Sequence, residues 1–194
     1  NCLDWVCSVT NTSIEQALKN VESFYSDKDT ISNAPFFLPY LSGERTPHND
    51  PHIRGSFHSI KTSTDSTNLQ YAVIEGVSFG ILDGVNSIKK VNSDFENIFM
   101  VGGGSRSSFW IELLSTLLNR KLSVCEQSEF GAALGVARLG MYVDDNINYE
   151  NEIIREIKVS KEYQPKSSNM DLLIKRYTIW KDLYTSNKKN ILTI

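Results

Sequence analysis

The chain has 194 residues, enough for one domain with a sizeable core. Its 20 basic and 23 acidic residues give a formal net charge of −3, without the basic excess of a nucleic-acid binder. With 40% hydrophobic and 22% charged residues it reads as globular, and no apolar run reaches the length of a membrane span. Asn1-Cys2-Leu3-Asp4 lacks an initiator Met and a basic leader, so the chain is expected to begin inside a longer protein. Its three cysteines, Cys2, Cys7 and Cys125, form no disulfide framework or metal spacing. They read as small buried hydrophobes of a reducing, cytoplasmic compartment.

Residues 2–9 suit the end of a helix. A second helix follows, with Thr12 and Glu15 as a capping box and Ile14, Ala17, Leu18, Val21 and Tyr25 on one face. Asn33-Ala34-Pro35 breaks it. Phe36 to Leu41 is an edge strand or extended segment, because Pro35 and Pro39 interrupt backbone donation. Residues 42–54 are turn-rich, and a short strand is expected over 55–60. The longest helix is expected over 68–90, capped by Thr67 with Gln70. Its buried stripe reads as Ile74, Val77, Ile81, Val85 and Ile88.

Ile98-Phe99-Met100-Val101 reads as a strand in the middle of a sheet covered on both faces. Gly102-Gly103-Gly104 follows, then a helix with Trp110, Leu113, Leu114, Leu117 and Leu118 on one face. Leu122 to Cys125 is the next strand. Ser128 caps a helix rich in small residues, from Gly131 to Ala137, which suggests tight packing. Residues 144–167 read as a polar loop with Asp144-Asp145 solvated. Residues 168–187 read as a terminal helix buried through Leu173, Tyr177, Trp180 and Tyr184. The strand–helix–strand–helix order after residue 97 argues for an α/β fold with a partly parallel sheet.

Three glycines between a strand and a helix suit close approach of an anion or nucleotide. No Gly-Lys-Ser/Thr follows, so a P-loop is excluded. A dinucleotide fingerprint fits Gly102 and Gly104, with Glu126 as the ribose acid, but Ser107 replaces the third glycine. A tight turn without a ligand is the third reading. The residues alone leave the last two open beside nucleotide binding.

Leu38-Pro39-Tyr40-Leu41-Ser42-Gly43-Glu44-Arg45-Thr46-Pro47-His48 resembles a segment of the carbohydrate kinases named for a Phe-Gly-Gly-Tyr motif, in their xylulokinase branch. The stretch from Gly55 through Asn68 to Gly76 is similar to that family's second signature. Gly102 to Ser107 is similar to its adenosine motif, and Gly131 to Arg138 shares its character. The resemblance runs in order over residues 1–140. It implies the incomplete C-terminal lobe of a ribonuclease-H-like, actin-like ATPase fold. It also implies phosphoryl transfer from ATP with Mg2+ to D-xylulose or a related pentulose.

By the same resemblance, Gly102, Gly103 and Gly104 would approach adenosine, with Ser107 near the adenine. The turn from Ser59 to Ser63 would approach the ribose or phosphates. The family usually has glycine where Ser59 stands, so a side chain there is expected to narrow the cleft. The family's catalytic Asp and phosphate turns precede the equivalent of Asn1. The chain is therefore expected to hold one wall of the ATP site and to be inactive alone. Asp4 and Asp83, both in predicted helices, are no substitutes. The sugar would sit on the N-terminal lobe, and a homodimer of the full-length enzyme is one open assembly. An NAD-binding domain and a non-catalytic interaction domain remain the alternatives.

His48 and His52 flank Asn49-Asp50-Pro51 without a third ligand nearby, so a metal role is disfavoured. Glu44 and Arg45 read as an ion pair bracing their loop, with contact to substrate or to the other lobe as the alternative. Glu75 would reach that loop at Arg45.

Overall fold

The computed structural model describes residues 1–91, 97–126, 131–141 and 158–190. The first half runs α1 (Cys2–Val9), α2 (Ile14–Tyr25), α3 (Lys28–Asn33), β1 (Phe36–Leu38), β2 (Ser56–His58) and α4 (Ser66–Val91). The second runs β3 (Phe99–Met100), α5 (Ser108–Leu118), β4 (Leu122–Cys125), α6 (Gly131–Met141), β5 (Val159–Tyr163) and α7 (Met170–Asn190). The helix starts are set by side chains that accept orphan N–H groups. Ser13, not Thr12, caps α2 by accepting from the Gln16 N–H at 3.2 Å. Asp65, rather than Thr67, receives the Asn68 N–H at 2.9 Å at the start of α4.

α4 is the axis of the core and packs against α1, α2, β1, α5 and α7. Residues 70–76 are buried all round, and beyond them Ser78, Phe79, Leu82 and Asp83 continue as one buried face. These steps of three and four define one helical stripe. It is not the stripe expected from apolar residues, because Glu75, Ser78 and Asp83 face inward and disguise it. Ile81 is 40% exposed and Ile88 53%, so the expected packing through Ile81 is wrong. Gly76 lets β1 approach closely, since a Cβ there would lie 2.2 Å from the Phe37 carbonyl oxygen.

β1 and β2 pair antiparallel, with Phe37 opposite Phe57. The second sheet has the order β3-β4-β5, with β3 parallel to β4 and β5 antiparallel to it. Among the described residues β3 is therefore an edge, not the middle strand its sequence implied. β5 occupies part of the stretch expected as loop. Its residues Val159 to Glu162 are exposed and only Tyr163 is buried, so a polar edge strand was hidden by composition.

α7 buries Leu173, Tyr177, Trp180 and Tyr184 as expected. Trp180 also donates from Nε1 to the Phe37 carbonyl at 2.8 Å, fastening α7 to β1. α6 buries none of its residues, contrary to the tight packing expected of its small side chains. The expected Ser128 cap and the Asp144-Asp145 loop lie outside the described residues.

Candidate nucleotide site

The apolar strand β3 delivers the chain into the glycine turn. Gly102 has φ of +82°, in the left-handed region that favours glycine. Residues Gly103–Arg106 then form a 3-10 turn, closed by Ser105 Oγ donating to the Gly102 carbonyl at 2.7 Å. Ser107 is the N-cap of α5 and accepts from the Trp110 N–H at 3.2 Å. The Trp110 indole donates to Ser78 Oγ at 2.9 Å, which anchors the turn to α4.

Only the first glycine is required by the backbone. Gly103 has no left-handed φ and is exposed, and a Cβ there would meet nothing within 4 Å. At Gly104 a Cβ would meet only the Trp110 ring, at 4.0 Å. The chain's own packing therefore does not explain two bare residues, each costing conformational entropy. The dinucleotide fingerprint fits less well: Gly103 and Gly104 lie inside a 3-10 turn ahead of α5, and Ser107 stands in place of the third glycine.

Ser59 has φ of +62° and an exposed side chain. This backbone conformation is the physical reason for glycine at such a position. Thr64 shapes the rest of the turn, its Oγ1 accepting from the Lys61 N–H at 2.9 Å. A polar cleft of about 360 Å3 opens beside it, lined by Asp29, Thr30, Asn33, Lys61, Ser63, Thr64 and Asn68. Ser63 thus faces a cleft, whereas Ser59 and the three glycines do not line it.

Two buried polar networks hold the frame, and sequence reading paired neither correctly. Glu75 does not reach Arg45; it binds Arg176 of α7. Arg176 Nε donates to Glu75 Oε1 at 2.6 Å and Nη2 to Oε2 at 2.7 Å. The Ala34 and Pro35 carbonyls accept from the same guanidinium at 3.2 Å, and Tyr71 donates to Glu75 Oε1 at 2.9 Å. Burial alone would lower the Arg176 pKa, but the charge and hydrogen bonds of Glu75 raise it. Tyr71 is pushed well above the ordinary phenol value, first by burial and then by Glu75.

Glu44 and Arg45 do not form the expected brace. Glu44 Oε2 instead accepts from the His48 N–H at 2.8 Å, and Arg45 is exposed. His48 stacks on Tyr184 at 3.7 Å between centroids, and its Nε2 stands 3.0 Å from Asp83 Oδ2 without the alignment of a hydrogen bond. Tyr177 donates to the other Asp83 oxygen at 3.0 Å. Asp50 accepts from the His52 and Ile53 N–H groups, both at 3.1 Å. Its burial would raise the carboxyl, but those hydrogen bonds and Lys188 hold it below the usual range. Asp83 and Asp50 are therefore occupied in bracing. Among the described residues no group of three or more His, Cys, Asp or Glu forms a metal site.

Comparison with known proteins follows the same outline. The model of the FGGY family of carbohydrate kinases, C-terminal domain, matches residues 1–143. A xylulose kinase of Staphylococcus epidermidis is 32% identical over 167 residues, covering 84% of this chain and 34% of its own length. A xylulose kinase of Escherichia coli K12 is 29% identical over 184 residues, covering 95% of this chain and 37% of its own. The crystal structure of a xyloylose kinase from Brucella ovis superposes with a TM-score of 0.79 at 30% identity. That match covers 95% of this chain and 37% of the Brucella chain. The chain thus spans about a third of the length of the curated relatives it matches.

Proposed function

Since this chain belongs to the FGGY family of carbohydrate kinases, as its C-terminal domain, we propose that it supplies one wall of the ATP site of a sugar kinase. The observation that carries the reading is the bare surface at Gly103 and Gly104, which neither backbone nor packing demands. The backbone of Gly102, Gly103 and Gly104 would lie against adenosine. Ser107, held as the N-cap of α5, would stand near the adenine. The turn from Ser59 to Ser63 would face the ribose or phosphates, with the cleft at Ser63 giving room for them.

The acceptor we propose is D-xylulose or a related sugar, on the similarity to xylulose kinases over most of the chain. Phosphoryl transfer depends mainly on positioning and charge stabilisation, with a base for the sugar hydroxyl. In this proposal the chain is an incomplete C-terminal lobe of the actin-like fold. The base, the sugar site and most phosphate contacts belong to the rest of the kinase. Mg2+ would ride on the nucleotide phosphates, adding charge neutralisation, and among the described residues no acidic cluster offers a cage for it. The glycine turn offers backbone and the Ser107 hydroxyl, suited to shape recognition, while Lys61 brings a positive charge to the cleft at Ser63.

The test is ATP-dependent phosphorylation of D-xylulose, read by coupled ADP release, on residues 1–194 alone. The expected result is no sugar-dependent turnover although ADP binds weakly. Robust sugar-dependent turnover would mean that the chain holds its own base. Tight binding of NADH with no binding of ADP would favour the dinucleotide reading instead.

A further inference from the structure

Three serines follow the glycines, and their hydroxyls do different things. Ser105 is buried and donates to the Gly102 carbonyl, and Ser107 is buried and caps α5. Ser108 is exposed, and its Oγ stands where two side chains of β5 converge. Residues two apart on a strand share a face, so β5 brings Lys161 and Tyr163 to that oxygen together. The Tyr163 hydroxyl lies 2.8 Å from Ser108 Oγ. Lys161 donates to the same oxygen at 3.4 Å, with its Nζ 4.7 Å from the Tyr163 ring centroid. The neighbouring charges are matched: Lys121 pairs with Glu162 at 2.7 Å and Lys166 with Glu112 at 2.6 Å. Among the described residues Lys161 pairs with no carboxylate, and its acceptor is a neutral hydroxyl. Arg106, two residues before Ser108, is a second exposed cation.

We propose that Ser108 is a phosphorylation site, and that Lys161 and the Tyr163 hydroxyl receive the phosphate. A phosphate monoester brings three acceptor oxygens and a charge of about −1.5 to −2, the anion that Lys161 lacks. A charge-assisted hydrogen bond then replaces a long one to a neutral oxygen. In the step itself, Ser108 Oγ attacks the γ-phosphorus of ATP held by a serine/threonine protein kinase. The Oγ–P bond forms, the bond from the γ-phosphorus to the ADP oxygen breaks, and the hydroxyl proton passes to that kinase's base. Glu112, one turn along α5, would repel the phosphate, but Lys166 already holds it. Ser108 adjoins Ser107, so the new charge would stand beside the glycine turn and oppose the phosphates of an arriving nucleotide. That regulatory consequence rests on the nucleotide reading above; the place of the phosphate does not.

The test encodes phosphoserine at residue 108 of the full chain and titrates it by phosphorus NMR. An unpaired phosphoserine titrates near pH 6, at about its ordinary second pKa. Beside Lys161 the phosphate should titrate below that value, and in Lys161→Met it should return to it. Both altered positions are exposed, so the fold should survive. Mass spectrometry of the tryptic peptide from Ser107 to Arg120, taken from the cells that make the protein, should place a phosphate on Ser108. ADP affinity should fall at least about threefold in the phosphoserine chain, from repulsion between charges near one Debye length apart, and stay unchanged in Ser108→Ala. A phosphoserine that titrates as if unpaired, with and without Lys161, would overturn the proposal. So would a peptide that is never phosphorylated. Inorganic phosphate that binds the unmodified chain through Lys161, with no phosphopeptide in cells, would assign the place to a free anion instead. ADP binding to neither form would defeat the nucleotide reading alone, because the NMR titration contains no nucleotide.

Discussion

Arg176→Met should be among the most damaging single changes in this protein. Its guanidinium is 4% exposed and the Glu75 carboxylate 1%. It makes two short hydrogen bonds to Glu75 and two more to the Ala34 and Pro35 carbonyls, and its carbon lies 4.2 Å from the Phe36 ring centroid. Methionine keeps the packing and removes every one of those donors. Glu75 is then left charged in the core with Tyr71 as its remaining donor. Breaking a buried pair from one side costs about 3–5 kcal/mol, a large share of a typical stability of about 5–15 kcal/mol.

Removing both charges, as in Glu75→Leu with Arg176→Met, should cost much less than the sum of the singles. What remains are the unpaired Ala34 and Pro35 carbonyls and the Tyr71 hydroxyl, at about 1–3 kcal/mol for each group left fully dry. The assay is a double-mutant cycle by urea unfolding, read from the tryptophan fluorescence of buried Trp180. A cost for Arg176→Met below about 1 kcal/mol, the scale of an exposed pair, would refute the reasoning. Strictly additive losses would refute it too.

Two further outcomes follow from backbone strain and from the buried phenols. Ser59→Gly should relieve a left-handed residue worth about 1–2 kcal/mol, less the extra chain entropy of glycine of about 0.5–1 kcal/mol. A melting temperature raised by a few degrees is expected; a fall would contradict the strain. Burial pushes Tyr177 up to about 12, and Tyr40, Tyr71 and Tyr184 also above the usual phenol value. A raised folded pKa gives stability that is complete below the unfolded value and is lost above it. Unfolding free energy should therefore fall as pH rises past about 10, with tyrosinate absorbance appearing together with unfolding; titration of all tyrosines well before unfolding would disprove their burial.

The elements that sequence made legible are those with unmixed faces. α7 shows its Leu173, Tyr177, Trp180 and Tyr184 stripe openly, and β4 lies where the apolar run Leu122 to Cys125 placed it. α4 was legible as a helix but not in its orientation, since Glu75 and Asp83 face inward to meet Arg176 and Tyr177 of α7, about a hundred residues on. Arg176 carried no local signal that it would be buried. β3 and α6 misled in the opposite sense: their apolar sequences predicted cover that the described residues do not supply. In the candidate site, the glycine turn was visible as a pattern. The distinction between Gly102, needed for its φ, and Gly103, which meets nothing among the described residues, required coordinates.

The central claim is that the glycine turn is a nucleotide surface, and isothermal titration with ADP against Gly103→Val tests it most directly. Because a Cβ at residue 103 meets nothing within 4 Å and the residue has no left-handed φ, the substitution should leave the fold and melting temperature in place. The account predicts weak binding by the original chain and none by Gly103→Val, whose side chain stands where the adenosine would rest. Equal heats of binding from two equally stable proteins would contradict it and remove the turn from the site.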